Sequence, residues 1–210
     1  MRSSHLALTA ALATIFFITG ANAQVGFSQQ ELQAKLAYCK TCHGLSGQGY
    51  RGANPMPRLA GQQTEYLENQ LRAFIERRRT NPIMNNVAHV LSPNMITALA
   101  AHFKDLNPKP LGGAPQELVV AGKKIYQEGV PGTDIPACAS CHGPEAKGDG
   151  AFPRLAGQLH DYILRKLVNW SKERGLDPAN PDTSAIMEPI AHGLTEPQIK
   201  AVAAYLSYLE

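Results

Sequence analysis

The chain has 210 residues, four cysteines, 44% hydrophobic residues and a formal charge of +3. That length suits one medium domain or two small ones, and so small a charge excess leaves no electrostatic footprint for nucleic acid. The one basic run, Arg77-Arg78-Arg79, reads as a solvated helix end with cations near a C-terminus.

Residues 1–23 have the order of a secretory signal peptide. Arg2 is a weak basic start, an apolar run extends from Leu6 to Ile18, and Ala21-Asn22-Ala23 predicts cleavage before Gln24. The apolar run is short for a bilayer span; an uncleaved anchor is the alternative. No later segment is apolar enough to make a transmembrane helix, so the mature chain is expected to be exported and soluble.

Ser28-x-x-Glu31 then forms a capping box before a helix with Leu32 and Leu36 on one face. Tyr66, Leu67, Leu71, Phe74 and Ile75 make a second apolar stripe, and Ser92-Pro93 opens a helix burying Ile96, Leu99 and Phe103. "LNPKPLGGAPQ", 106–116, packs proline and glycine where no helix or strand would continue. Beyond it Leu118, Gly122, Ile125 and Tyr126 begin a similar series. Tyr162, Ile163, Leu167 and Trp170 follow, and Thr195 with Gln198 opens a last helix burying Ile199, Val202, Leu206 and Leu209. No stretch alternates with period two, so the predicted fold is all-α with little or no sheet.

The second series copies the first. Cys39-x-x-Cys42-His43 recurs ninety-nine positions later as Cys138-x-x-Cys141-His142, and "PRLAGQ" at 57–62 recurs unchanged at 153–158. "IMNNVAHVLSPNMI" from Ile83 aligns without a gap on "IMEPIAHGLTEPQI" from Ile186. Three anchors in one order define an internal duplication of about ninety residues. The predicted domains are 24–107 and 114–210, joined by a linker at 108–113. Each has few helices and a thin core, which a large flat apolar cofactor would fill.

Cysteines three apart on a helical turn share one side of the chain, so both sulfurs can reach one planar ligand. The next histidine can turn its imidazole to the ligand's centre. This is the sign of a haem joined by two thioethers, with Cys39, Cys42, Cys138 and Cys141 as attachment points and His43 and His142 on iron. Three alternatives fit less well. A redox dithiol needs a strand–helix setting, and a shared zinc site needs cysteine pairs about fifteen to twenty residues apart. Structural disulfides explain neither the histidines nor the repeat.

Met187 is the one methionine after His142, and the repeat register matches it to Met84 rather than to Met56 or Met95. These two are the predicted sixth ligands. His89 and His192, also matched by the repeat, are the bis-histidine alternative, or serve packing or a propionate hydrogen bond. Methionine ligation raises the potential, and a six-coordinate iron has no vacant position for substrate. Both favour electron transfer over catalysis.

The paired Cys-x-x-Cys-His motifs, "FPRLAGQ" at 152–158 with "PRLAGQ" at 57–62, and the segments around Met84 and Met187 resemble the dihaem cytochrome c4 family. The resemblance covers essentially the whole mature chain. It implies two class I cytochrome c domains facing each other across a pseudo-twofold axis, each with a covalent haem c, in the periplasm of a Gram-negative bacterium. The implied role carries electrons toward a terminal oxidase, the cbb3 type included, or a reductase, from a quinol-oxidising complex or a dehydrogenase. It also implies that the carbonyls of Pro57 and Pro153 accept the proximal histidine N–H, and that Arg58 and Arg154 pair with haem propionates; the alternative leaves both arginines exposed on loops. Two features depart from the family pattern. The first copy has a shorter approach to its cysteines without Gly122-x-x-x-Tyr126, and the second carries about seven extra residues within "ERGLDPANPDTS" before Met187. The rival readings are a dehydrogenase's electron-transfer subunit, a dihaem peroxidase, which needs an open iron and a longer chain, and a thiosulfate-oxidising enzyme with a cysteine-ligated haem, which needs a fifth cysteine.

Overall fold

Ser28 starts the first helix, α1 (Gln29–His43). Its hydroxyl accepts from the Glu31 N–H at 3.2 Å, and the Glu31 carboxylate accepts from the Ser28 N–H at 2.6 Å. The computed structural model describes residues 26–174, 179 and 183–210. The expected leader and part of the extra segment before Met187 lie outside the described residues.

The first copy continues with α2 (Thr64–Ile75), α3 (Pro82–His89) and α4 (Pro93–Lys104). Ser92 caps α4 through the Met95 N–H with Pro93 in its first turn, and α4 packs on α1 and α2. Their apolar faces enclose Leu36, Leu67, Met95, Leu99 and Phe103. Met95 is therefore a core side chain.

The second copy opens with a short 3₁₀ turn that holds Leu118, then α5 (Val119–Glu128), α6 (Ala139–His142), α7 (His160–Val168), α8 (Trp170–Glu173), α9 (Ser184–Gly193) and α10 (Glu196–Tyr208). The Thr195–Gln198 capping box starts α10 as predicted. α10 packs on α5 and α7 around Tyr126, Ile163, Val202 and Leu206. Among the described residues there are no strands, only isolated bridges such as Tyr50–Met56 and Asp149–Phe152. The protein is all-α.

The copies differ where their sequences differ. In the first, one continuous helix delivers Cys39, Cys42 and His43; in the second, α5 stops at Gly129 and the motif sits on the separate short α6. The stripe from Tyr162 to Trp170 is broken at Asn169, so Trp170 begins α8. One expectation fails: Arg79 is not solvated but 7% exposed, because the chain leaves α2 through Arg77 at φ 60° and turns Arg79 inward. The segment between the copies is held in place, with Arg51 Nη2 donating to Gly113 O at 3.2 Å and the Tyr208 hydroxyl to Ala114 O. Among the described residues no helix is long and apolar enough to cross a membrane.

Candidate haem-binding cavity

One cavity of about 690 Å³ runs between the two copies. Cys39, Cys42, His43 and Met84 line it from one side, and Cys138, Cys141, His142 and Met187 from the other. Met56 also reaches its wall, through the loop bridged to Tyr50. His89 and His192 do not line it. Both are exposed, and His192 Nε2 lies 2.5 Å from Ser171 Oγ. The reason is helical register: each histidine lies five residues beyond a methionine, on the outer side of α3 or α9.

Both motif histidines are fixed through Nδ1. His43 Nδ1 lies 2.9 Å from Pro57 O, and His142 Nδ1 lies 3.0 Å from Pro153 O. A carbonyl only accepts, so Nδ1 carries the proton and the Nε2 lone pair is left to ligate. Burial, opposed by the proline carbonyl, lowers the pKa of each ring, which favours the neutral imidazole a metal requires. After α6, the buried Tyr126 hydroxyl donates to Gly143 O at 2.6 Å, so α5 braces the backbone next to His142.

The cavity's chemistry fits covalently held haem. None of the four cysteines is in a disulfide. Burial pushes the Cys39 thiol up and that of Cys138 up to about 11, opposite to an activated redox thiolate. Among the described residues no three His, Cys, Asp or Glu side chains gather as a zinc site needs. Apolar side chains such as Leu71, Phe74, Leu167 and Trp170 line the interior, with buried arginines at its edge. Arg58 and Arg154 are 3% and 8% exposed rather than loop-exposed, each with Nε donating at 3.0 Å to its own loop, at Ala60 O and Ala156 O. Burial, then the neighbouring Arg154, lowers Arg58 to about 10, and its Nη1 is buried without a protein partner. Such a donor at the cavity wall suits an anionic substituent.

A second arginine pair joins the copies. Arg79 donates to Gln70 Oε1 at 2.6 Å and to the Tyr162 hydroxyl at 2.9 Å, across the boundary. Arg174 reciprocates, donating to Gln70 Oε1 at 2.7 Å and to the Tyr66 hydroxyl at 3.3 Å. Arg79 lies over the Phe74 ring and Arg174 over the Trp170 ring, each 4.6 Å from the centroid. Sequence reasoning missed both: Arg79 hid in a basic run and Arg174 in the extra segment, which broke the alignment. Arg79→Ala is expected to lower stability by about 2–4 kcal/mol, since hydrogen bonds to buried charges contribute roughly 1.5–3 kcal/mol each. Tyr162→Phe should cost about 1 kcal/mol. The double variant should lose less than the sum, as denaturant titration would show, because both changes break one bond.

Two helical units, each with a Cys-x-x-Cys-His motif on the wall of an apolar cavity and its histidine anchored through Nδ1, define a c-type haem-binding protein. The family model "Cytochrome c" matches residues 27–107 and again 119–210. The cytochrome c4 of Thiocapsa roseopersicina is 37% identical over 190 residues, covering 89% of this chain and 94% of that protein. The thiosulfate dehydrogenase electron acceptor of Thiomonas intermedia is 37% identical over 179 residues, 81% of this chain and 78% of that one. The solved structure of Acidithiobacillus ferrooxidans cytochrome c4 superposes with a TM-score of 0.68 at 36% identity, over 82% of this chain and 99% of that chain. The chain therefore belongs to the cytochrome c family, in its dihaem cytochrome c4 group, and is an electron-transfer protein carrying covalent haem c.

Proposed function

We propose that this protein is a periplasmic electron shuttle with one histidine/methionine-ligated haem in each of two domains, 24–107 and 114–210, joined by 108–113. One observation carries the reading: two repeat-related sets of cysteine pair, Nδ1-anchored histidine and methionine meet in one cavity. Bound haem supplies a one-electron couple. The chain's residues would set its environment: Cys39 and Cys42, and Cys138 and Cys141, would hold it by thioether bonds, and His43 with Met84 and His142 with Met187 would supply the iron's ligands. The carbonyls of Pro57 and Pro153 orient the motif imidazoles, while Arg58 and Arg154 would meet the propionates. With a histidine and a methionine from this chain held ready for each iron, no protein group would have to move or exchange a proton during oxidation and reduction.

Export rests on the leader-like residues 1–23, and the periplasm on membership of the cytochrome c4 group. The electron acceptor is a terminal oxidase, the cbb3 type included, or a reductase; the donor is a quinol-oxidising complex or a dehydrogenase. A second reading, a fixed electron-accepting partner of a dehydrogenase, is favoured by the likeness to the Thiomonas protein. Co-purification with a dehydrogenase would select it over a free shuttle. The primary experiment is a redox titration followed optically, with intact mass measured on the same sample. The expected result is two haem additions, two one-electron steps and the far-red band of an oxidised iron–thioether bond. A mass equal to bare polypeptide, or rapid peroxide turnover, would overturn the reading.

A further inference from the structure

We infer that Gln62 and Gln158 are positioning residues that act across the domain boundary, each setting the ligand strength of the other domain's proximal histidine. This rests on the two-haem reading above and adds a control that neither domain supplies for itself.

The geometry is a chain of three polar groups. Pro57 C=O and Arg58 N–H are the two ends of one peptide unit. The carbonyl accepts from His43 Nδ1 at 2.9 Å, while the N–H donates at 2.8 Å to Oε1 of Gln158, in the other copy. The mirror chain is as complete: Pro153 O accepts from His142 Nδ1 at 3.0 Å, and Arg154 N donates to Gln62 Oε1 at 2.7 Å. Each glutamine also returns a bond, Gln158 Nε2 to Arg58 O and Gln62 Nε2 to Arg154 O, both at 3.0 Å.

The amide orientations are fixed by their partners. Gln62 Oε1 also accepts from the Gln63 N–H at 2.9 Å, and Gln158 Oε1 from the Leu159 N–H at 3.1 Å. Flipping either amide would set NH₂ against two N–H donors. Both glutamines are buried, at 5% and 7% exposure, where hydrogen bonds polarise one another more than in water. The glycine before each, Gly61 at φ 72° and Gly157 at φ 68°, lies beside the opposing arginine.

The sign of the effect follows from amide resonance. When Gln62 accepts from the Arg154 N–H, the shared peptide unit is polarised and Pro153 O becomes a stronger acceptor. A stronger acceptor draws the His142 Nδ1 proton and makes the imidazole a better donor through Nε2. That favours the oxidised iron and lowers the second domain's potential. Gln158 does the same for the first domain.

The test uses the intact two-haem protein, with Gln62→Leu, Gln62→Glu and Gln158→Leu. Midpoint potentials would be measured by spectroelectrochemical titration. Haem methyl resonances would be assigned to a domain by their NMR contacts with its residues. Gln62→Leu should raise the potential of the haem at His142 by about 30 mV, a threefold change in its oxidised-to-reduced ratio at 59 mV per tenfold. The haem at His43 should stay put. Gln158→Leu should do the converse, and Gln62→Glu, with a stronger acceptor, should shift the His142 haem downward. If Gln62→Leu fails to retain both haems, Gln62→Asn, which withdraws the acceptor by one methylene, is read the same way.

Unchanged potentials, a shift in the glutamine's own domain, or equal shifts in both would overturn the inference. So would lowered potentials in both Leu variants, the sign expected if water merely enters a loosened boundary. A wild-type protein lacking two haems or the far-red band would instead defeat the two-haem reading, so the two failures are distinguishable.

Discussion

Met187→Ala is expected to remove about half of the far-red absorbance of the fully oxidised protein and to lower one of its two midpoint potentials. Met187 is the one methionine beyond His142, and it lines the cavity with that histidine. A thioether favours reduced iron, so its loss should lower that potential by on the order of 0.1 V, well inside the roughly 0.8 V over which axial ligands move haem potentials. Met84→Ala should give the other half, and the double variant should show no far-red band. Met56 is the control in the first copy, because it also reaches the cavity wall. If Met56→Ala removes the band and Met84→Ala leaves it, the ligand is Met56 and repeat register has misled. His89→Ala and His192→Ala should leave both potentials in place, since both side chains are exposed and outside the cavity.

Gly122→Ala should destabilise the second domain by about 3 kcal/mol or more, the upper end of the cost of overpacking. A Cβ built on Gly122 would lie 1.9 Å from Ala201 O, 2.6 Å from Ala201 C and 2.8 Å from Tyr205 Cβ. The obstacle is the backbone of α10, which cannot yield by changing a rotamer. The consequence reaches the cavity, because α5 also carries Tyr126, whose hydroxyl holds Gly143 O beside His142. Guanidinium titration followed by the haem absorbance should show the second domain's ligand field failing first. Val120→Ala, on the exposed face of α5, should change stability by less than about 0.5 kcal/mol. The first copy has no glycine on α1 or α4, and Leu36 shares a core there with Met95, Leu99 and Phe103.

The sequence by itself determined the chemistry of each half. Two Cys-x-x-Cys-His motifs, the repeated "PRLAGQ" and the register between Met84 and Met187 are local patterns, and a duplicated chain displays each of them twice. The all-α class, the capping boxes at Ser28 and Thr195, and the core faces of α4 and α10 were legible for the same reason, since each depends on residues three or four apart. What only the tertiary structure decided lies between the halves. Arg79 and Tyr162, Arg174 and Tyr66, and the two glutamines opposite Arg154 and Arg58 are separated by 83 to 108 positions in the chain. No periodicity links them. The last letter of "PRLAGQ" was visible twice, but its role depends on a partner in the other copy. A buried hydrogen bond between distant segments is specified by how two surfaces close on each other, and that geometry exists only after both domains have folded.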